Sequence, residues 1–282
     1  MPVLSLSDLP FLLLLAAAFA LVVWLLGKPY FTRRRFERLR RQPFPAAWRT
    51  VLKERVPYFR SLPADLQMQL KGHIQVFLAE KAFIGCRGLE VTDEMRVTIA
   101  AQACLLILNR PTDYFASLRQ ILVYPGPFIV NRTHTDYAGV KQDQRQVLAG
   151  ESWSEGQVIL SWEDVVEGAA DVSDGRNVVI HEFAHQLDQE NGAANGAPIL
   201  APHHAKRWAR VMSEAYARLQ AETQAESPER PTLINDYGAT DPVEFFAVVS
   251  ETFFEQAQRL SEEHPDLYRE MVAFYCVDPL SW

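Results

Sequence analysis

From Phe11 to Leu26 the chain has sixteen residues without a polar side chain, and Leu9 and Pro10 extend the run to eighteen. As a helix rising about 1.5 Å per residue it would be about 27 Å long, enough to cross a hydrocarbon core. Beyond Pro43 and Pro45 the pattern changes, and apolar positions recur at helical spacing through Leu66, Leu70, Ile74, Phe77 and Leu78. The spacing predicts a second helix over about Thr92 to Leu108. Two short apolar runs, Ile121 to Tyr124 and Phe128 to Val130, flank Pro125-Gly126-Pro127 and predict strands around a turn; Val158 to Leu160 is a third strand candidate. Helical spacing returns after Asp174-Gly175 and ends near Asn191-Gly192. Further helices are expected over about His204 to Glu222 and about Pro242 to Leu260, divided by a loop at Ser227 to Pro231. Helices around a few strands, without regular βαβ alternation, predict a mainly α, α+β domain. The expected organisation is a membrane anchor and basic stretch over 1–40, a helical part over 41–120 and a catalytic part over 121–282, with 41–282 one compact unit.

Charge decides which way the apolar run faces. Residues 1–41 carry a balance of +5, with Lys28, Arg33, Arg34, Arg35, Arg38, Arg40 and Arg41 all behind the run and only Asp8 before it. A cleaved signal peptide needs its positive charge in front, and a core helix would not end in an arginine cluster. The asymmetry therefore predicts a single-pass anchor through residues 9–26 of the inner (cytoplasmic) membrane, with the body in the cytoplasm. The arginines would then meet anionic headgroups. The remaining 241 residues carry −12, an acidic field that excludes a general nucleic-acid binder. Cys86, Cys104 and Cys276 are too few and scattered for a disulfide framework and fit buried thiols in a reducing compartment.

His181-Glu182-Phe183-Ala184-His185 is the arrangement that carries chemistry. On a helix, positions i and i+4 share a face, so both imidazoles can reach one tetrahedral ion, and Glu182 stands beside it as a base for the attacking water. Two histidines do not complete a catalytic zinc site, which has three protein ligands and an open position. A glycine three residues after His185 and a histidine six after it would complete one known pattern, but Asp188 and Asn191 stand there. Glu244, Glu251 and Asp188 remain as third-ligand candidates, and spacing across a loop does not choose among them. Glu244 also has a bland reading, as the third helical residue of a capping box opened by Asp241 and Pro242. His203, His204, His73 and His134 sit in no ligand spacing and are expected to be solvated.

Four segments resemble the Mlc titration factor A family: 126–130 (GPFIV), 156–162 (GQVILSW), 181–188 (HEFAHQLD) and 237–251 (YGATDPVEFFAVVSE). The likeness runs from about Phe44 to Asp278. It implies a zinc peptidase of the glutamate-zincin type, with aminopeptidase activity and a catalytic core similar to that of anthrax lethal factor. By position, it implies one zinc ion on His181, His185 and Glu244, with Glu182 as the catalytic glutamate and Tyr237 facing the metal. A phenol there can donate a hydrogen bond to the oxyanion of a tetrahedral intermediate. Glu251 and Asp188 then become candidates to take the free N–H of a ligating imidazole. The strand Val158 to Leu160 is either a cleft-lining edge that a peptide substrate could extend or an interior strand. The family takes its name from binding a transcriptional repressor, so a regulator partner is implied by resemblance alone. The expected activity is thus a membrane-anchored zinc peptidase; a protein that sequesters a regulator at the membrane, with zinc mainly structural, is the rival. Proteolysis within the bilayer is excluded by the roughly 155 residues between the motif and the apolar run.

Overall fold

A computed structural model describes residues 9–135, 141–148, 150–153, 156–192, 194–224 and 232–282. The chain divides into two units, Met1–Pro43 and Phe44–Trp282. Helix α1 (Leu9–Arg40) makes up the first and contains Pro29. Its apolar side chains from Leu13 to Leu25 are exposed, Phe19 by 72% and Trp24 by 59%, as in a helix that no protein core covers. Among the described residues it is the one helix long and apolar enough to cross a membrane.

The second unit is a mostly helical α+β structure. Its helices are α2 (Ala46–Arg55), α3 (Tyr58–Ser61), α4 (Ala64–Glu80), α5 (Asp93–Leu105), α6 (Trp162–Ala170), α7 (Val178–Asp188), α8 (Pro202–Thr223), α9 (Pro242–Glu255), α10 (Ala257–Glu263) and α11 (Pro265–Tyr275). Its strands are β1 (Ala82–Gly85), β2 (Gln120–Tyr124), β3 (Phe128–Thr135), β4 (Lys141–Leu148), β5 (Gly150–Trp153) and β6 (Gln157–Ser161). Strands β1, β2 and β6 are parallel neighbours, and β5 closes one edge antiparallel to β6, with Gly150 opposite Leu160 and Trp153 opposite Gln157. A parallel pair needs a crossover, and α5 lies in the one from β1 to β2. Strands β3 and β4 form a separate antiparallel ribbon, Phe128 opposite Leu148 through Thr135 opposite Lys141.

Several expectations shift at this level. β6 is paired on both sides, so the Val158 to Leu160 segment is an interior strand and the sheet edge lying against α7 belongs to β5. The Thr92 to Leu108 helix ends at Leu105, and Thr92 is its cap, accepting from the Met95 N–H at 3.3 Å. The helix from Pro242 breaks at Gln256 (φ −123°, ψ 41°), whose amide donates to the Ser173 carbonyl oxygen at 2.7 Å. Cys104 alone of the three thiols is buried; Cys276 is exposed. His73 is 3% exposed and pairs with the Tyr114 hydroxyl at 3.0 Å, so it is a satisfied core histidine and not a solvated one. The side chain of His134 and the Ser227 to Pro231 loop lie outside what the structure describes.

The core sits behind the HExxH helix. Phe183 is fully buried, with ring centroids 5.6 Å from Phe77 and 5.0 Å from Phe115. Trp208, Phe246 and Phe274 form a second cluster between α8, α9 and α11. Helices α7 and α9 also pack directly against each other, which is what the site requires.

Candidate metal centre

Helix α7 starts where it does because Asn177, in an extended conformation, accepts the Ile180 N–H at 3.0 Å with its side chain. Val179, Ile180, Phe183, Ala184 and Leu187 are then all buried. His181 and His185, one turn apart, share a face. Helix α9 opens with Asp241 as cap, accepting from Val243 N–H at 2.8 Å and Glu244 N–H at 3.0 Å, and with Pro242 in the first turn. Glu244 therefore leaves the capping to Asp241, and its own carboxylate reaches across to α7.

His181 Nε2 lies 3.1 Å from His185 Nε2 and 3.1 Å from Glu244 Oε2, and His185 Nε2 lies 3.5 Å from the same oxygen. A tetrahedral ion with ligands at about 2.0–2.1 Å holds its ligand atoms about 3.3–3.4 Å apart. The triangle of donors has that size, and two imidazoles with one carboxylate are the donor set of a three-ligand zinc site. These residues fit a divalent ion.

Glu251 and Asp188, the other third-ligand candidates, lie outside this triangle. Glu251 stands behind His181: Oε1 is 2.8 Å from Nδ1, and Oε2 accepts the Asn177 N–H at 2.5 Å. An Nδ1–H donated to Glu251 leaves the Nε2 lone pair facing the triangle, so this contact selects the tautomer a metal needs. Asp188 is fully buried, and its Oδ2 accepts from the Asn195 and Gly196 N–H groups at 2.8 and 2.7 Å. It braces a loop rather than an imidazole; among the described residues His185 Nδ1 has no hydrogen-bond partner. Tyr237 lies on the 3₁₀ turn Asp236–Ala239, 46% exposed, its ring centroid 6.0 Å from that of His181.

The electrostatics follow from crowding. Burial alone would push the His181 pKa down, but the charges of Glu251, Glu244 and Glu182 outweigh it and carry the imidazole well above its ordinary range. Burial likewise pushes the Glu244 carboxyl up, yet hydrogen bonds and charge from His181 and His185 hold it well below the usual carboxylate range. A proton on this cluster occupies the place that a cation would take, so the same carboxylates that attract the one attract the other.

Behind the site is a polar network that spacing did not reveal. The Asn177 amide donates to Gln102 Oε1 at 2.8 Å, Gly168 O at 3.1 Å and Glu255 Oε1 at 3.1 Å, and Tyr58 OH donates to Glu255 Oε1 at 2.9 Å. Gly168 is needed there, since a Cβ would lie 3.0 Å from the Arg176 carbonyl oxygen and 3.1 Å from Asn177 Cα. A signal was present: Glu251 and Glu255, four residues apart on the mostly apolar α9, place two carboxylates on one buried face. Burial raises the Glu255 carboxyl to about 8, against the hydrogen bonds from Asn177 and Tyr58. An unfolded chain releases this proton near its ordinary value, while the folded one holds it to about 8, so stability falls as pH rises through that window. Glu255→Gln, always neutral, is expected to melt roughly 5 °C or more above the parent at pH 8.5 and within about 2 °C of it at pH 5. Calorimetry at fixed zinc measures both, and an equal shift at both pH values would show that Glu255 is not held protonated.

Comparison with known proteins places these residues in context. The chain matches the family described as glucose-regulated metallo-peptidase M90 over residues 30–276. It is 39% identical to the Synechocystis protein slr2042, over 96% of this chain and 98% of that one. It is 33% identical to Mlc titration factor A of Cronobacter sakazakii, over 84% of this chain and 88% of that one. Against the protein of the same name from Klebsiella pneumoniae (strain ATCC 700721 / MGH 78578) it is 34% identical over 80% and 84%. The resemblance carried by the four motifs thus extends over most of the chain.

Proposed function

Because the chain belongs to the glucose-regulated metallo-peptidase M90 family, we propose that it is a zinc peptidase of the HExxH-plus-glutamate type with a zincin-like catalytic unit. The donor triangle of His181, His185 and Glu244 supports this reading most directly. These three residues hold one zinc ion. When bound, it supplies Lewis acidity toward a carbonyl oxygen and toward water.

The chain's own groups do the rest. Glu182, 5% exposed, takes the proton that the attacking water gives up and returns it to the departing amine. Tyr237 donates a hydrogen bond to the substrate oxygen as negative charge gathers there. Glu251 holds His181 in its tautomer. An extended peptide pairs with the outer edge of β5, which among the described residues is paired only with β6 and lies against α7. Trimming from the amino end is the preferred mode. The chain binds no nucleic acid.

The anchor is residues 9–26, in the inner membrane, with the catalytic unit in the cytoplasm. Exposure of α1 speaks against a buried core helix, and the basic residues that follow its apolar half favour a span over a signal sequence. The 96% alignment with the Synechocystis protein leaves about 11 residues of this chain outside it, so most of residues 9–26 falls within the aligned region. Deleting residues 1–40 is expected to give a soluble protein with hydrolysis within about twofold of the full chain, because the Phe44–Trp282 unit holds every site residue. Recovery of the truncated chain only as aggregates would count against a tether.

A second reading comes from relatives named for titrating Mlc: a membrane-bound protein that sequesters a transcriptional regulator, with zinc mainly structural. The two separate on one experiment. The full chain in detergent, loaded with zinc, is offered amino-acid anilides and an internally quenched peptide. Zinc-dependent cleavage supports the peptidase; one bound zinc without cleavage of any substrate favours the titration reading.

A further inference from the structure

Two ligands stand on α7 and the third on α9, so their separation depends on whatever sets the spacing of those helices near Glu244. We propose that Asp188 is a positioning residue for Glu244: by holding the Asn195–Gly196 turn against the first residue of α9, it fixes how far the carboxylate ligand stands from the two imidazoles. This inference rests on the metal-centre reading above and assigns a part to a residue outside the donor triangle.

The contacts run in an unbroken line. Asp188, three residues past His185 and fully buried, spends Oδ2 on two backbone donors, Asn195 N–H at 2.8 Å and Gly196 N–H at 2.7 Å. The turn is braced internally as well: Asn195 Oδ1 accepts the Ala197 N–H at 2.9 Å, and Asn191 Nδ2 donates to the Ala197 carbonyl oxygen at 2.8 Å. Gly196 then meets α9 backbone to backbone. At φ +74° it has the left-handed conformation that favours glycine, and a Cβ there would lie 2.3 Å from the Pro242 carbonyl oxygen. Pro242 is two residues before Glu244, whose N–H is pinned from the other side by Asp241. The first turn of α9 is therefore held between its own cap and the turn that Asp188 organises.

Cost also argues for a positional role. Among the described residues, Asp188 Oδ1 has no hydrogen-bond partner. Burying a carboxyl with half its acceptors unused is unfavourable, and an apolar residue would pack α7 with less penalty. Here the carboxyl gives a fixed distance between two ligand-bearing helices, and metal affinity is sensitive to ligand geometry on that scale.

The test compares zinc affinity of the full chain in detergent, by chelator competition, with Asp188→Ala, Asp188→Asn and Gly196→Ala. Visible absorption of the cobalt-substituted proteins reports ligand geometry directly. Asp188→Ala and Gly196→Ala are each expected to weaken zinc binding ten- to hundredfold and to change the cobalt bands, while Asp188→Asn, which keeps an oxygen for both N–H groups, stays within about threefold. If Asp188→Ala binds zinc within threefold of the parent with unchanged cobalt bands, the proposal is overturned, however far the metal-free melting temperature falls. Should Asp188→Ala not fold, Gly196→Ala decides in the same way. A parent that bound neither metal would remove the metal-centre reading itself, an outcome distinct from a parent that binds and variants that bind equally.

Discussion

Glu182→Gln is expected to retain one zinc ion per chain and to lose peptide hydrolysis by at least about 10²- to 10⁴-fold, the range a positioned general base contributes. The two halves of this result have separate causes. Zinc is kept because Glu182 is outside the donor triangle, whose three atoms come from His181, His185 and Glu244. Hydrolysis is lost because a glutamine of the same shape cannot accept the proton that water must shed. The substitution removes one charge near His181, where Glu182 helps raise the imidazole. Zinc affinity should therefore fall slightly rather than rise. The measurement is turnover of the quenched peptide with zinc counted in the same sample. Unimpaired turnover in the variant would remove Glu182 from the mechanism; loss of zinc along with turnover would make it part of the ligand shell.

The parts of this site that sequence makes legible are those carried within one element. His181 and His185 are four apart, Asn177 starts the helix, and the apolar positions between them bury themselves, so the α7 pair is readable from spacing alone. The proposed third ligand lies 59 residues beyond His185, and its identity depends on where α9 crosses α7, which no local pattern encodes. Glu244 and Glu251 are seven residues apart on the same helical face, and the crossing alone puts the first in front of His181 and the second behind it. The family resemblance favoured Glu244, and the geometry offers its carboxylate as the third donor. Asp188 was open between ligand, imidazole partner and neither, because its partners are main-chain N–H groups in a loop with no periodicity. Short strands were obscure for a related reason: β1, four residues directly after a helix, carries no alternation long enough to register, and an edge such as β5 is defined by its neighbour.

Removing a carboxylate in front of His181 and removing one behind it are expected to differ in size. Glu244→Ala takes away one of three donors and leaves two imidazoles, which is not a closed catalytic set, so zinc affinity should fall by well over about a hundredfold. Glu251→Ala leaves all three donors and frees the ring of His181 to adopt the wrong tautomer, which costs about ten- to hundredfold, the range for an outer hydrogen-bond partner. It also leaves the Asn177 N–H, at the start of the helix that carries both histidines, without its acceptor, so its effect on melting temperature should exceed that of Glu244→Ala. The two variants therefore reverse order between the assays, with Glu244→Ala worse for zinc and Glu251→Ala worse for stability of the metal-free protein. Chelator competition and calorimetry without metal measure the two quantities independently. A larger zinc loss in Glu251→Ala would transfer the third ligand to that residue. Equal losses in both would mean that the ion draws on both carboxylates, which requires the His181 ring to leave the orientation it has against Glu251.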